Sequence, residues 1–185
     1  MLEESLVYLK EYMKNKILLF GIILFLSFCF VILFKSLKNS NVYVPKTVSE
    51  KTLVNFNSKD FFSEVEISSN EIFFGKEFYI LNIWSSWCLP CREEHPKLLQ
   101  LSKNSSVKLI GLNYKDNPKN AKKFIDTLGN PYSIIIIDEK GTISIELGAY
   151  GVPETYIINK DKKIIKKFVG PLNDKSVKEI NLILK

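Results

Sequence analysis

Residues 17 to 34, I-L-L-F-G-I-I-L-F-L-S-F-C-F-V-I-L-F, run for 18 positions without a charge. As a helix rising about 1.5 Å per residue, this run reaches about 27 Å, close to the hydrocarbon thickness of a bilayer. A cleaved signal peptide has a shorter apolar region followed by small residues at the cleavage site. Here the run ends in Phe34-Lys35-Ser36-Leu37-Lys38, without an Ala-x-Ala-like pattern. The core helix of a soluble protein is the alternative, but such a helix is seldom apolar all the way round for this length. Residues 17–34 are therefore read as an uncleaved transmembrane signal anchor, and any water-soluble fold must be built from what lies outside them.

The flanks set the rest of the plan. Lys10, Lys14 and Lys16 precede the span, and Lys35, Lys38 and Lys46 follow it, so charge bias alone does not orient it. Leu2, Leu6, Leu9 and Met13 recur at helical spacing, which suggests a short helix on the membrane surface within residues 1–16. Cys29 sits among phenylalanines inside the span and reads as a small apolar residue. Residues 35–50, polar and interrupted by Pro45, read as a tether. Residues 51–185 remain, enough to bury one core. The net charge is +6, but it is carried by dispersed lysines with a single arginine, Arg92. A nucleic-acid reader needs a basic stripe and arginines for bidentate contacts, so nucleic acid is not expected as a partner.

Within 51–185, apolar runs and 3.6-residue periods alternate. Phe78–Trp84, F-Y-I-L-N-I-W, reads as a central strand covered on both sides, with Asn82 its one polar member. Cys91–Ser102 reads as a helix kinked at Pro96. Val107–Asn113 is a second strand, and a helix opens at Pro118 and stops at Gly129-Asn130-Pro131. Ile134–Ile137 is a third strand, ended by the turn Asp138-Glu139-Lys140-Gly141. Thr155–Ile158 and Ile164–Val169 form a hairpin, and Asn173–Leu184 a closing helix. The order predicts an α/β fold with a mixed central sheet flanked by helices.

Cys88 and Cys91 fall where the central strand hands over to a helix, beyond its carboxyl end, the usual place for sites in open α/β sheets. Structural zinc takes four ligands, and only His95, the chain's single histidine, stands near as a third. Cu(I) is content with two or three soft ligands, so a non-enzymatic copper carrier remains open. A purely structural disulfide across so small a loop stabilises little. A redox couple fits the setting best. At the first turn of a helix, unpaired N–H groups and the dipole favour thiolate at Cys88, and Pro90 there costs no hydrogen bond. Cys88 is then the attacking sulfur, and Cys91, one turn further in, the resolving one. No Cys lies in a P-x-x-x-T-x-x-C setting, which argues against a peroxidase.

Four separated blocks carry a resemblance: N-I-W-S-S-W-C-L-P-C-R-E-E-H-P (82–96), G-L-N-Y-K-D (111–116), L-G-N-P-Y (128–132) and G-A-Y-G-V-P-E-T-Y-I-I-N (148–159). Together they resemble the membrane-anchored thiol:disulfide interchange proteins of cytochrome c maturation, the DsbE/CcmG family, over residues 52 to 180. The resemblance implies a thioredoxin-like fold with Cys88 and Cys91 as its redox pair and no other cofactor. It implies that Pro153 is cis, with the backbone of Val152 offered to an extended substrate strand. Glu94 and Glu154 match acidic residues near the family's active site, and Asn82 stands where thioredoxins place a buried aspartate. Trp87 is expected to cover the disulfide, whereas Arg92 and His95 read as surface helical residues. Tyr156 replaces the usual phenylalanine, and residues 55–77 match loosely. The resemblance also orients the chain, with residues 1–16 in the cytoplasm and the catalytic domain in the periplasm, on a single pass through the inner membrane.

The expected direction of electron flow rests on the two carboxylates. If Glu94 and Glu154 face Cys88, like-charge repulsion raises its pKa, destabilises the thiolate and makes the pair a reductant. The expected partners are apocytochrome c or a thiol protein of its maturation, with a membrane thiol reductase as electron donor. A less dedicated anchored reductase, serving oxidase assembly or envelope thiol repair, is the other enzymatic reading.

Overall fold

The computed structural model describes residues 2–38 and 51–184. The first helix, α1 (Leu2–Lys38), is a single element of 37 residues. The short surface helix and the separate span expected from the sequence are thus one helix, because no glycine or proline lies between Met13 and Ile17 to break it. It also continues past the expected start of the tether, to Lys38; residues 39–50 of that tether lie outside the described residues. Lys16–Lys35 is long and apolar enough to cross a membrane, and its isoleucines, leucines and phenylalanines are exposed.

Residues 51–184 begin with a small antiparallel hairpin, β1 (Asn57–Lys59) and β2 (Glu66–Ser68), and a single helical turn, α2 (Ser69–Ile72). Then come β3 (Phe78–Trp84), α3 (Leu89–Leu101), β4 (Val107–Tyr114), α4 (Pro118–Leu128), β5 (Ile134–Asp138) and α5 (Thr142–Glu146). The hairpin β6 (Glu154–Asn159) and β7 (Ile164–Val169) and the closing helix α6 (Asp174–Ile183) complete the chain. The main sheet has the order β5-β4-β3-β6-β7, with β3, β4 and β5 parallel and β6 and β7 antiparallel to their neighbours. The expected α/β plan with a mixed sheet is present, and β3 is its centre.

Alternation along the strands divides the core into two faces. Ile80, Trp84, Leu109, Ile135 and Ile157 point toward α3, α4 and α6, in a cluster that also contains Cys88 and Cys91. Tyr79, Leu81, Ile83, Leu112, Tyr156 and Ile158 point the other way, toward Ile72, Ile143 and Leu147. Helix α3 runs on through Pro96 and buries Cys91, Glu94, His95, Leu98 and Leu101 along one side. That i, i+3, i+4, i+7 spacing is one stripe of a helix. The free edge of β5 is covered by the first hairpin: Ser58 Oγ donates to the Ile137 carbonyl at 2.7 Å, and the Phe61 N–H to the Ile135 carbonyl at 2.8 Å.

Candidate active site

Four residues, Ser85 to Cys88, connect the carboxyl end of β3 to the first turn of α3. The turn is fixed from outside by Asp116, whose carboxylate accepts from the Ser86 backbone N–H and from Ser86 Oγ at 2.6 Å. Cys88 is the N-cap of α3, and its Sγ accepts the Cys91 N–H at 3.1 Å. Cys88 and Cys91 are joined by a disulfide, with Cα atoms 5.3 Å apart. In the reduced state the same N–H and the helix dipole would stabilise a Cys88 thiolate. The two cysteines are largely covered, 4% and 2% exposed, while Trp87 and Leu89 on either side of Cys88 are exposed. The Trp87 ring is held by its indole N–H, which donates to the Lys115 carbonyl at 3.1 Å.

Beneath the pair, one turn beyond Cys91, Glu94 is fully buried. Its two oxygens accept from Asn82 Nδ2 and from the Leu172 N–H, both at 2.8 Å. Asn82 also donates to Thr155 Oγ1 at 3.0 Å and accepts from the Tyr132 hydroxyl at 2.8 Å. Among the described residues no cation enters this network, and burial pushes the Glu94 pKa up to about 7, against the opposing pull of its two donors. The same burial, with Glu94 alongside, pushes the Tyr132 hydroxyl up as well. Glu94 therefore exchanges a proton close to neutrality while lying on the cysteine-bearing helix and the cysteine-bearing face of the sheet.

Glu154 is placed differently. The Val152–Pro153 peptide is cis, and Glu154 follows it, opposite Ile83 in the β3–β6 register. That register sets Pro153 level with the end of β3, the edge from which the cysteine turn departs. It also turns the Glu154 side chain to the face of Tyr156 and Ile158, away from the cysteines. There Glu154 pairs with Lys167 at 2.8 Å, both side chains buried, and accepts from the Tyr150 N–H and the Tyr156 hydroxyl. The expectation that Glu154 repels a Cys88 thiolate is thereby corrected, for its charge is met by Lys167 on the far side of the sheet. Of the two carboxylates, only Glu94 shares the cysteines' face.

The surface assignment of His95 is likewise corrected. His95 is 2% exposed, its Nε2–H donates to the Gly129 carbonyl at 2.9 Å, and its ring meets Phe124 edge-on. Burial, outweighing that hydrogen bond, lowers its pKa. Arg92 is on the surface as expected, its guanidinium 4.8 Å above the Phe124 ring. Sequence reasoning missed Tyr132, Thr155, Lys167 and the Leu172 N–H. For Glu94 and His95 a signal was present: both share the helical stripe of Cys91, Leu98 and Leu101. Tyr132, Thr155 and the Leu172 N–H meet Asn82 or Glu94 on the cysteine-bearing face, and Lys167 meets Glu154 on the other; these contacts between distant segments have no local signature.

Comparison with known proteins matches this arrangement to a family. The Redoxin family profile matches residues 50–184. Over 173 residues the chain is 36% identical to the thiol:disulfide interchange protein DsbE of Haemophilus influenzae, covering 88% of this chain and 91% of that one. The chain belongs to the DsbE family of thiol:disulfide interchange proteins. A second relative, the thiol:disulfide interchange protein CycY of Rhizobium leguminosarum, is 46% identical over 100 residues, 54% of each chain. The thioredoxin domain of a thiol-disulfide oxidoreductase from Bacteroides vulgatus superposes with a TM-score of 0.63 at 18% identity, covering 74% of this chain and 98% of that one. The fold is thioredoxin-like, and this DsbE-family chain is a thiol:disulfide oxidoreductase.

Proposed function

We propose that this DsbE-family protein is a disulfide reductant of cytochrome c maturation, held by α1 in the inner membrane with its redox domain in the periplasm. Its substrate is the disulfide of apocytochrome c or of a maturation thiol protein. Cys88 thiolate attacks one sulfur of that disulfide, forming a mixed disulfide and releasing the substrate's other sulfur as a thiolate, which takes a proton from solvent. Cys91 then loses its proton to Glu94 and attacks Cys88 Sγ. The substrate's second thiolate leaves and is protonated, and the Cys88–Cys91 disulfide remains. Two electrons have passed to the substrate, and a membrane dithiol reductase restores them. Val152 makes no backbone hydrogen bond among the described residues, which suits pairing with an extended substrate segment beside the cysteines. Anchoring keeps the domain close to membrane-bound assembly machinery and raises its effective concentration there.

The observation that carries this reading is Glu94: a buried carboxyl on the cysteine face that accepts from Asn82 Nδ2 and the Leu172 N–H and meets no cation among the described residues, so that burial pushes its pKa up to about 7. Such a group serves as proton acceptor for the resolving cysteine, and its ionised form opposes a nearby thiolate, which lowers the reduction potential. The test is the potential of the full chain in detergent, by equilibration with dithiol buffers and thiol trapping. A value near about −270 mV, that of thioredoxin, or lower supports a reductant. A value near about −120 mV, that of a strong oxidant, overturns it.

A further inference from the structure

Beside the disulfide, on the side of α4, lies a groove of about 360 Å³ bounded by Ser86, Trp87, Arg92, Asn120, Lys123 and Phe124. Its charge is one-sided. Arg92 is the only arginine in the chain, and neither it nor Lys123 has a carboxylate partner among the described residues. Elsewhere among the described residues Lys97, Lys122, Lys160, Lys166 and Lys167 have carboxylate partners, while other surface lysines such as Lys103 and Lys119 have none. Asp116, the acid at this edge, is occupied by the Ser86 N–H and Oγ, Asn113 Nδ2 and the Asn117 N–H. The Arg92 guanidinium carbon lies over the Phe124 ring, 4.8 Å from its centroid. That cation–π contact restrains the side chain, so less rotamer freedom is lost when a carboxylate binds. Trp87 is 60% exposed and gives the groove an apolar wall next to the attacking cysteine.

We propose that this groove is a specificity subsite for an acidic side chain of the disulfide-bearing polypeptide. The position fixes which residue it reads. Trp87 adjoins Cys88 in the chain, and Arg92 follows one helical turn later. At about 3.3 Å of extended chain per residue, a substrate joined to Cys88 reaches the groove with a side chain one to three residues from its own cysteine. Arg92 and Lys123 meet the carboxylate from α3 and α4, and Trp87 covers the methylene stem of a glutamate. Opposite charge at this rim selects partners and speeds encounter more than it tightens binding.

The inference rests on the proposed reductase function, and one experiment separates the two. The reduced full chain in detergent is given disulfide-bonded C-x-x-C peptides that differ only in carrying Glu, Gln or Lys at the flanking positions, and peptide thiols are quantified over time. The Glu peptide is expected to react about three- to tenfold faster than the Gln peptide at low salt. This ratio should fall toward one near 0.5 M salt, where screening shortens to a few ångströms. In the double variant Arg92→Gln/Lys123→Gln the ratio should be close to one. In Arg92→Glu/Lys123→Glu the Lys peptide should become the faster substrate. Because each protein acts on every peptide, any change in Cys88 nucleophilicity cancels from the ratio. Lys162→Gln/Lys163→Gln, which removes the same charge from the β6–β7 turn, should leave the ratio as it is in the unmodified protein. A ratio near one in the unmodified protein, or an equal loss in the β6–β7 variant, overturns the subsite while leaving the reductase reading intact. Failure to reduce any of the peptides overturns both.

Discussion

Replacing Glu94 by glutamine removes the buried carboxyl of the cysteine-bearing face, which has no cation partner among the described residues. In the folded protein its pKa is raised from 4.5 to about 7. Below pH 4.5 both folded and unfolded chains hold the proton, and the group contributes no pH dependence. As pH rises from 4.5 to 7, the unfolded chain releases its proton while the folded chain keeps it, so stability falls. At about 1.4 kcal/mol per pH unit, the loss reaches about 3 kcal/mol and is complete above pH 7. The glutamine variant has no such dependence. Its amide faces two donors, Asn82 Nδ2 and the Leu172 N–H, and satisfies only one, a constant cost of about 1–3 kcal/mol. Glu94→Gln is therefore expected to be the less stable protein at pH 4.5 and to draw level with or pass the unmodified chain by pH 8. Urea unfolding of the full chain in detergent measures this. The chain's two tryptophans, Trp84 and Trp87, lie in the redox domain, so fluorescence reports it and not α1. Other titrating groups are common to both proteins and drop out of the difference. Two stability curves that stay parallel from pH 4.5 to 8 would refute a raised Glu94 pKa, and with it the proton-acceptor role.

Two other substitutions probe what holds the site in place. Lys167→Met leaves Glu154 charged and buried without its partner at 2.8 Å, and should cost about 3–5 kcal/mol in urea unfolding. Adding Glu154→Gln should restore most of that loss, and a double variant as unstable as the single one would count against the pair. Gly111→Ala places a Cβ 2.9 Å from Trp84 Nε1 and from the Tyr132 ring, where the stacked rings leave no room to give. It should lower stability by about 1–3 kcal/mol through overpacking, read as a lower urea midpoint with an unchanged far-ultraviolet circular dichroism spectrum.

The two helical turns that sequence reading passed over show where local pattern runs out. α2 has only four residues, too few for an apolar period, although its capping box, Ser68 with Glu71, is written in the chain. α5 depends on Asp138, whose carboxylate accepts from the Ile143 and Ser144 N–H groups, and on Gly141 at positive φ. Read locally, those residues are simply a turn. The first hairpin was missed because it pairs through Ser58 and Phe61 with β5, some eighty residues away.

What the sequence determined by itself were features with a short period or a local cause. The apolar run of α1, the strand β3, the alternation of strands and helices, and the placing of Cys88 and Cys91 at a helix start all follow from neighbours within one or two turns. Which residues stand against the cysteines did not follow. Glu94 and Glu154 look alike in the chain, each an acid beside a family motif. Only the sheet distinguishes them, because successive residues of a strand point to opposite faces, and β6 turns Glu154 toward Lys167 while α3 lowers Glu94 onto Asn82. Charge alone is a property of the sequence. Whether that charge is paired, buried or aimed at a sulfur depends on contacts between distant segments, and these exist only once the chain has folded.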